Sequence, residues 1–139
     1  MAESPRFSAA SLDEVKRLVA RYPEDRKKSA LIPVLHRAQK ELGGWLSVPV
    51  MDYVASLLEL APIEVYEVAS FYTLFDTKPV GRYKLEPCRT GPCALNGADE
   101  LIRYLEGKLG IRDGETTPDG LFTLRSTECL GACDQAPLL

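Results

Sequence analysis

Pro87-Cys88-Arg89-Thr90-Gly91-Pro92-Cys93 and Glu128-Cys129-Leu130-Gly131-Ala132-Cys133 carry all four cysteines of the chain. The pattern is Cys-x4-Cys, an interval of 35 residues, then Cys-x3-Cys, and the first 87 residues contain no cysteine. Nothing in Met1 to Arg17 resembles the apolar centre of a secretory leader, so a reducing compartment is expected, where clustered thiols point to a metal more than to disulfides. Structural zinc typically uses Cys-x2-Cys knuckles, and neither pair has that spacing. Longer loops suit a flat Fe2S2 rhomb that takes two thiolates per iron, and the x4 interval recurs in plant-type ferredoxins. A Rieske centre needs two histidines, and His36 is the only one here. Glycine and other small residues flank both pairs, which lets backbone N–H groups approach the sulfurs. Spacing therefore favours an iron–sulfur cluster, with a zinc site and disulfides or unrelated buried thiols left open.

Working outward from the cysteines, residues 82–86 read as a short strand delivering Cys88. Leu95, Ala98, Leu101, Ile102, Leu105 and Leu109 form a helical stripe closed by Gly110. Thr117-Pro118-Asp119-Gly120 is a turn, after which residues 121–127 read as a second strand delivering Cys129. The order strand–helix–strand predicts a βαβ-type unit with both cysteine pairs beyond strand ends, where ligand sites of such units gather.

Upstream, the polar Thr77-Lys78-Pro79-Val80-Gly81 marks a boundary, giving an expected division into 1–78 and 79–139. The first part reads as helices throughout. Ser11 and Glu14 make a Ser-x-x-Glu capping box ahead of Leu12, Val15, Leu18, Val19 and Tyr22, and Pro23 stops that helix. Leu31, Leu35, Ala38 and Leu42 form a second stripe ending at Gly43-Gly44. Val50, Val54, Leu57 and Leu58 mark a third helix. Pro62 opens a fourth, with Val65, Val68, Ala69 and Tyr72. Short connections predict a small bundle. Phe71, Tyr72 and Phe75 read as core and interface filling. The fold class is thus α+β or α/β, a helical bundle followed by a cysteine-bearing βαβ unit.

Composition excludes several functions. Hydrophobic residues make up 45% and charged residues 27% of 139, values of a folded chain. No apolar run approaches the roughly 20 residues of a spanning helix, so no membrane insertion is expected. The net charge of −3 is evenly spread and gives no nucleic-acid footprint. No Gly-x-Gly-x-x-Gly or Gly-x4-Gly-Lys-Ser/Thr nucleotide motif occurs. A thiol oxidoreductase would carry Cys-x-x-Cys at a strand–helix junction, which is absent. His36 has no second histidine and no nearby cysteine, and reads as a surface or core-edge residue. Arg26-Lys27-Lys28 reads as a solvated helix start.

Gly97 to Leu101, Lys108 to Ile111, Gly114 to Phe122 and Glu128 to Cys133, with Val68-Ala69-Ser70-Phe71-Tyr72 upstream, closely resemble the thioredoxin-like [2Fe–2S] subunits of bacterial NADH:quinone oxidoreductase, respiratory complex I. The resemblance covers about residues 10–137. It implies a thioredoxin-like [2Fe–2S] ferredoxin unit with Cys88 and Cys93 as the first ligand pair and Cys129 and Cys133 as the second. It implies one cluster exchanging single electrons in an oxidoreductase whose FMN and NADH sit on a partner subunit, with no complete active site on this chain. The expected partners are that flavin- and NADH-binding subunit and a larger iron–sulfur subunit, on the cytoplasmic peripheral arm of a membrane-bound complex. Soluble NAD-linked hydrogenases and formate dehydrogenases use homologous subunits, and a zinc-stabilised adaptor is the non-redox alternative. Family chains continue past Ala136-Pro137 with a further hairpin and helix, so a truncated sheet, or one completed by a partner, is expected here. Pro87 and Pro92 bracket the first pair and are expected to stiffen the loop and remove two N–H donors from the sulfurs.

Overall fold

The computed structural model describes residues 5–139. The chain divides into two compact units, Met1–Pro79 and Val80–Leu139. In the first, helices α1 (Ala9–Val19), α2 (Leu31–Glu41), α3 (Val48–Leu58) and α4 (Pro62–Phe71) form a bundle, and a 3-10 segment, Glu24–Ala30, leads into α2. Their stripes converge on a core in which Val34, Leu35, Leu46, Val54 and Val65 are fully buried. Burying each of these side chains is worth about 1.5–3 kcal/mol. Pro49 and Pro62 occupy first turns, where a missing N–H costs little.

The start of α1 differs from the capping-box reading. Ser8 is the N-cap, accepting the Ser11 N–H at 3.3 Å, and Ser11 lies fully buried inside the helix. The Ser11 hydroxyl accepts two Arg37 N–H groups at 2.9 and 2.6 Å and donates to the Glu41 carboxylate. Arg37 also pairs with Glu14 at 3.3 Å. A buried, unpaired hydroxyl would cost about 1–3 kcal/mol, and two residues one turn apart on α2 remove that cost.

The basic run stands near the start of the 3-10 segment with Arg26 and Lys28 exposed, as a solvated helix start should be, and Lys27 pairs with Glu59 at 2.7 Å and Lys28 with Glu64 at 2.8 Å. The aromatic run splits. Phe75 is buried with its ring 5.0 Å from that of His36, while Phe71 is 78% exposed and stands edge-on to Tyr72. Helix α4 ends at Phe71 and the backbone is extended at Tyr72, which breaks the helical register of the stripe.

In the second unit, β1 (Tyr83–Leu85) and β2 (Phe122–Leu124) pair in parallel, Tyr83 opposite Phe122 and Leu85 opposite Leu124. A short α5 (Pro92–Leu95) and then α6 (Ala98–Leu109) make the crossover. Leu105, Ile111 and Leu124 form the core, with Leu85, Leu101 and Leu109 packed against it. Leu95 is not part of that stripe. Gly97, at φ 92°, separates α5 from α6, and Leu95 is 90% exposed. The turn at Thr117–Gly120 is present, closed by the Gly120 N–H on the Thr117 carbonyl at 2.8 Å. Residues 114–117 then run antiparallel to β2, with Thr117 N–H on Phe122 O and Leu124 N–H on Glu115 O. Sequence alternation gave no sign of this, because Gly114-Glu115-Thr116-Thr117 is polar throughout.

Gly81 proves to be more than a linker residue. A Cβ there would lie 2.7 Å from the Phe122 carbonyl carbon, and the Gly81 N–H donates to Thr123 Oγ1 at 2.6 Å. Gly81→Ala is expected to push β1 off β2 and cost about 1–3 kcal/mol, read from the urea midpoint; an unchanged midpoint contradicts the close approach. The Glu41 carboxyl is held below the usual carboxylate range, chiefly by the Ser11 hydroxyl and then by the Ser8 N–H. A depressed carboxyl contributes stability that is complete above its ordinary pKa and is lost as pH falls through the folded value. The melting temperature is therefore expected to fall on acidification below the ordinary glutamate range, and to fall less in Glu41→Gln. Superimposable acid profiles of the two chains would refute the assignment.

Candidate functional site

Parallel pairing does not stop at Leu85. The Arg125 N–H donates to Leu85 O at 2.9 Å, Thr127 N–H to Pro87 O at 2.9 Å and Arg89 N–H to Thr127 O at 3.1 Å, so Cys88 bridges in parallel to Thr127. That ladder carries the first cysteine loop, 88–93, alongside the second, 128–133. Cys88 and Cys93 pack with Ala98 in one buried cluster, covered by Ala136 and Leu138. Cys129 and Cys133 are exposed. Among the described residues, no three ligand side chains converge tightly enough to hold a single metal ion. The structure thus brings Cys88 and Cys93 together and leaves Cys129 and Cys133 on the adjoining loop.

The two buried thiols are treated differently by their surroundings. Cys88 is held below the usual thiol range, first by the Thr90 N–H, with the Cys93 thiol and the Leu130 N–H adding to it against burial. Burial pushes Cys93 up, and the neighbouring Cys88 and Cys133 add to that rise, against the Leu138 N–H. Pro87 and Pro92 carry no N–H, as expected, and their places in the fold call for none. Pro92 is in the first turn of α5, where no N–H is needed, and Pro87 is buried with its carbonyl in the ladder. Donors come instead from Thr90, Leu130 and Leu138, two of them in segments remote from the first pair.

The second loop is fastened by polar contacts. The Thr90 hydroxyl donates to the Glu128 carbonyl, and the Cys88 thiol donates to the same oxygen at 3.5 Å. Cys88 N–H donates to Leu138 O at 3.1 Å, which ties down the last described segment. Thr90, Glu128, Leu130 and Leu138 were not marked as site residues by sequence reasoning. A threonine two residues after a cysteine was the available signal, since such residues hydrogen-bond local backbone in turns. Four thiols, two of them already buried under N–H donors, match the donor chemistry that two irons and two sulfides take.

Comparison with known proteins agrees with this chemistry. A Rickettsia conorii protein, named as a subunit of NADH-quinone oxidoreductase, is 45% identical over 133 residues, covering 96% of this chain and 80% of its own length. The mitochondrial NADH dehydrogenase [ubiquinone] flavoprotein 2 of Dictyostelium discoideum is 47% identical over 133 residues, covering 96% of this chain and 54% of its own. A crystal structure of a NAD+-reducing [NiFe]-hydrogenase in the H2-reduced state superposes with a TM-score of 0.67 at 29% identity, over 77% of this chain and 18% of the hydrogenase chain. The thioredoxin-like [2Fe–2S] ferredoxin pattern matches residues 15–139. With the cysteine loops, the parallel ladder and these relatives in agreement, the chain belongs to the thioredoxin-like [2Fe–2S] ferredoxin family.

Proposed function

We propose that this chain is the electron-transfer subunit of an NADH:quinone oxidoreductase, holding one [2Fe–2S] cluster on Cys88, Cys93, Cys129 and Cys133. The observation that carries the reading is the placement of both cysteine pairs beyond the ends of two parallel strands, with Cys88 bridged to Thr127. When bound, the cluster supplies one-electron chemistry. The four thiolates hold the irons. The N–H groups of Thr90, Leu130 and Leu138 face sulfur and favour its negative charge. Ala98, Ala136 and Leu138 keep water from the first pair. The partners are a flavin- and NADH-binding subunit, which exchanges single electrons with this chain, and a larger iron–sulfur subunit. NADH oxidation belongs to the assembly. The place of the chain in this reading is the cytoplasmic peripheral arm of a membrane-bound complex; among the described residues no helix is long and apolar enough to cross a membrane.

The likeness to a NAD+-reducing hydrogenase favours a second reading, the same role in a hydrogenase assembly. The complex purified through a tag on this chain separates the two. NADH-dependent quinone reduction supports the first, and H2-dependent NAD+ reduction the second.

Three measurements test the reading. In the reduced, cluster-free chain, iodoacetamide is expected to label Cys129 and Cys133 well before Cys88 and Cys93, because only the second pair is exposed; loading the cluster should protect all four. Equal labelling of Cys129 with and without the cluster removes it from the ligand set. Cys129→Ser is expected to abolish or severely destabilise the cluster, and a full-occupancy visible spectrum in that variant would have the same meaning. In an anaerobic titration followed by absorbance and EPR, dithionite is expected to reduce the loaded chain to a rhombic signal, while NADH alone leaves it oxidised. Adding the flavin-bearing partner is expected to permit at least partial reduction by NADH, since four-cysteine clusters of the plant type lie near about −400 mV. Bleaching of the isolated chain by NADH would make it an enzyme in its own right.

A further inference from the structure

We propose that Thr90 is the positioning residue of the site, its hydroxyl holding the second cysteine loop in register against the first. The inference rests on the ligand set proposed above. Every polar group of Thr90 is committed to the cysteine loops. Its N–H faces the Cys88 sulfur, its carbonyl accepts the Cys93 N–H at 3.2 Å, and its hydroxyl donates to the Glu128 carbonyl, one residue before Cys129. A single residue thus touches both members of the first pair and the backbone that leads into the second.

The Cys88 thiol donates to the same Glu128 oxygen at 3.5 Å, and Thr90 Oγ1 lies 3.8 Å from that sulfur. The Thr90 hydroxyl thus fastens Glu128 beside the first cysteine pair. The ion pair between the loops, Arg89 to Glu128 at 3.6 Å, joins two groups exposed by 53% and 78% and is worth little in water. Replacing an outer hydrogen-bond partner of a metal ligand typically costs 10–100-fold in affinity.

The test compares the wild-type chain with Thr90→Val, which keeps the shape and loses the hydroxyl, and Thr90→Ser, which keeps the hydroxyl. In the reduced, cluster-free chains, hydrogen exchange at residues 129–133 is expected to quicken in Thr90→Val alone, with α6 and the helical bundle unchanged. In the loaded chains, cluster release to an iron chelator, followed by visible absorbance, is expected to be about tenfold faster in Thr90→Val. Thr90→Ser is expected to match the wild type in both. Wild-type exchange or wild-type release in Thr90→Val overturns the proposal, and so does a Thr90→Ser chain that behaves like Thr90→Val. Should Thr90→Val raise exchange throughout the second unit, Thr90→Ala takes its place under the same criteria. A wild-type chain that takes up no cluster instead refutes the ligand set, and the exchange comparison alone then decides the role of Thr90.

Discussion

The hydrogen bonds between Tyr83–Leu85 and Phe122–Leu124 set where every cysteine can lie. Parallel neighbours run about 4.8 Å apart and point the same way, so the segments leaving them emerge at one end. Because the pairing continues to Cys88 opposite Thr127, the two cysteine loops begin side by side without help from their own side chains. A parallel pair cannot be closed by a tight turn, and α5 and α6 are the crossover that this demands. Leu105 on α6 packs with Leu124 on β2, which ties the crossover to the sheet. Gly81 completes the constraint, since the backbone before β1 approaches β2 more closely than any side chain would permit.

On this frame the two cysteine pairs are unequal. The first pair is buried between the start of α6 and the segment around Leu138, and its sulfurs receive N–H groups from three places in the chain. The second is exposed and is held through backbone, at Thr127 and Glu128. In the helical unit, a polar cluster at Ser11, Arg37, Glu14 and Glu41 fastens α1 to α2, and the exposed Phe71 lies beyond the core.

Much of this was legible from residues alone, for reasons that also explain the failures. Cysteine spacing and the strand–helix–strand order are local patterns, and so are Pro62 at a helix start and Gly110 at a helix end. Ser11 was misread because a serine three residues before a glutamate satisfies the capping pattern whether or not the helix begins there. Its true role depends on Arg37 and Glu41, which lie far along the chain. Leu95 fits the helical spacing of α6, yet Gly97 interrupts the helix and turns it outward. Lys27 and Lys28 read as surface charge, but spacing does not name their partners Glu59 and Glu64. Gly81 and the antiparallel residues 114–117 were invisible because neither carries a hydrophobic signal. In the candidate site, the cysteines stand out by residue type and spacing, but the donors at Leu130 and Leu138 do not. They are backbone groups, and no residue type announces them.

The crossover also has a consequence in time. Closing β1 onto β2 joins Tyr83 to Phe122 across the whole of α5 and α6, and the entropy of that closure is lost before any sheet hydrogen bond is gained. The helical unit forms from neighbouring segments and needs no such search. As the chain leaves the ribosome, Met1–Pro79 is complete before Phe122 has been made, and Cys88 and Cys93 emerge well before Cys129. For that interval the nascent protein carries a folded bundle and only the first of the two cysteine pairs proposed to hold the cluster. A metal delivered then would meet two thiols, and the second loop would have to arrive around it.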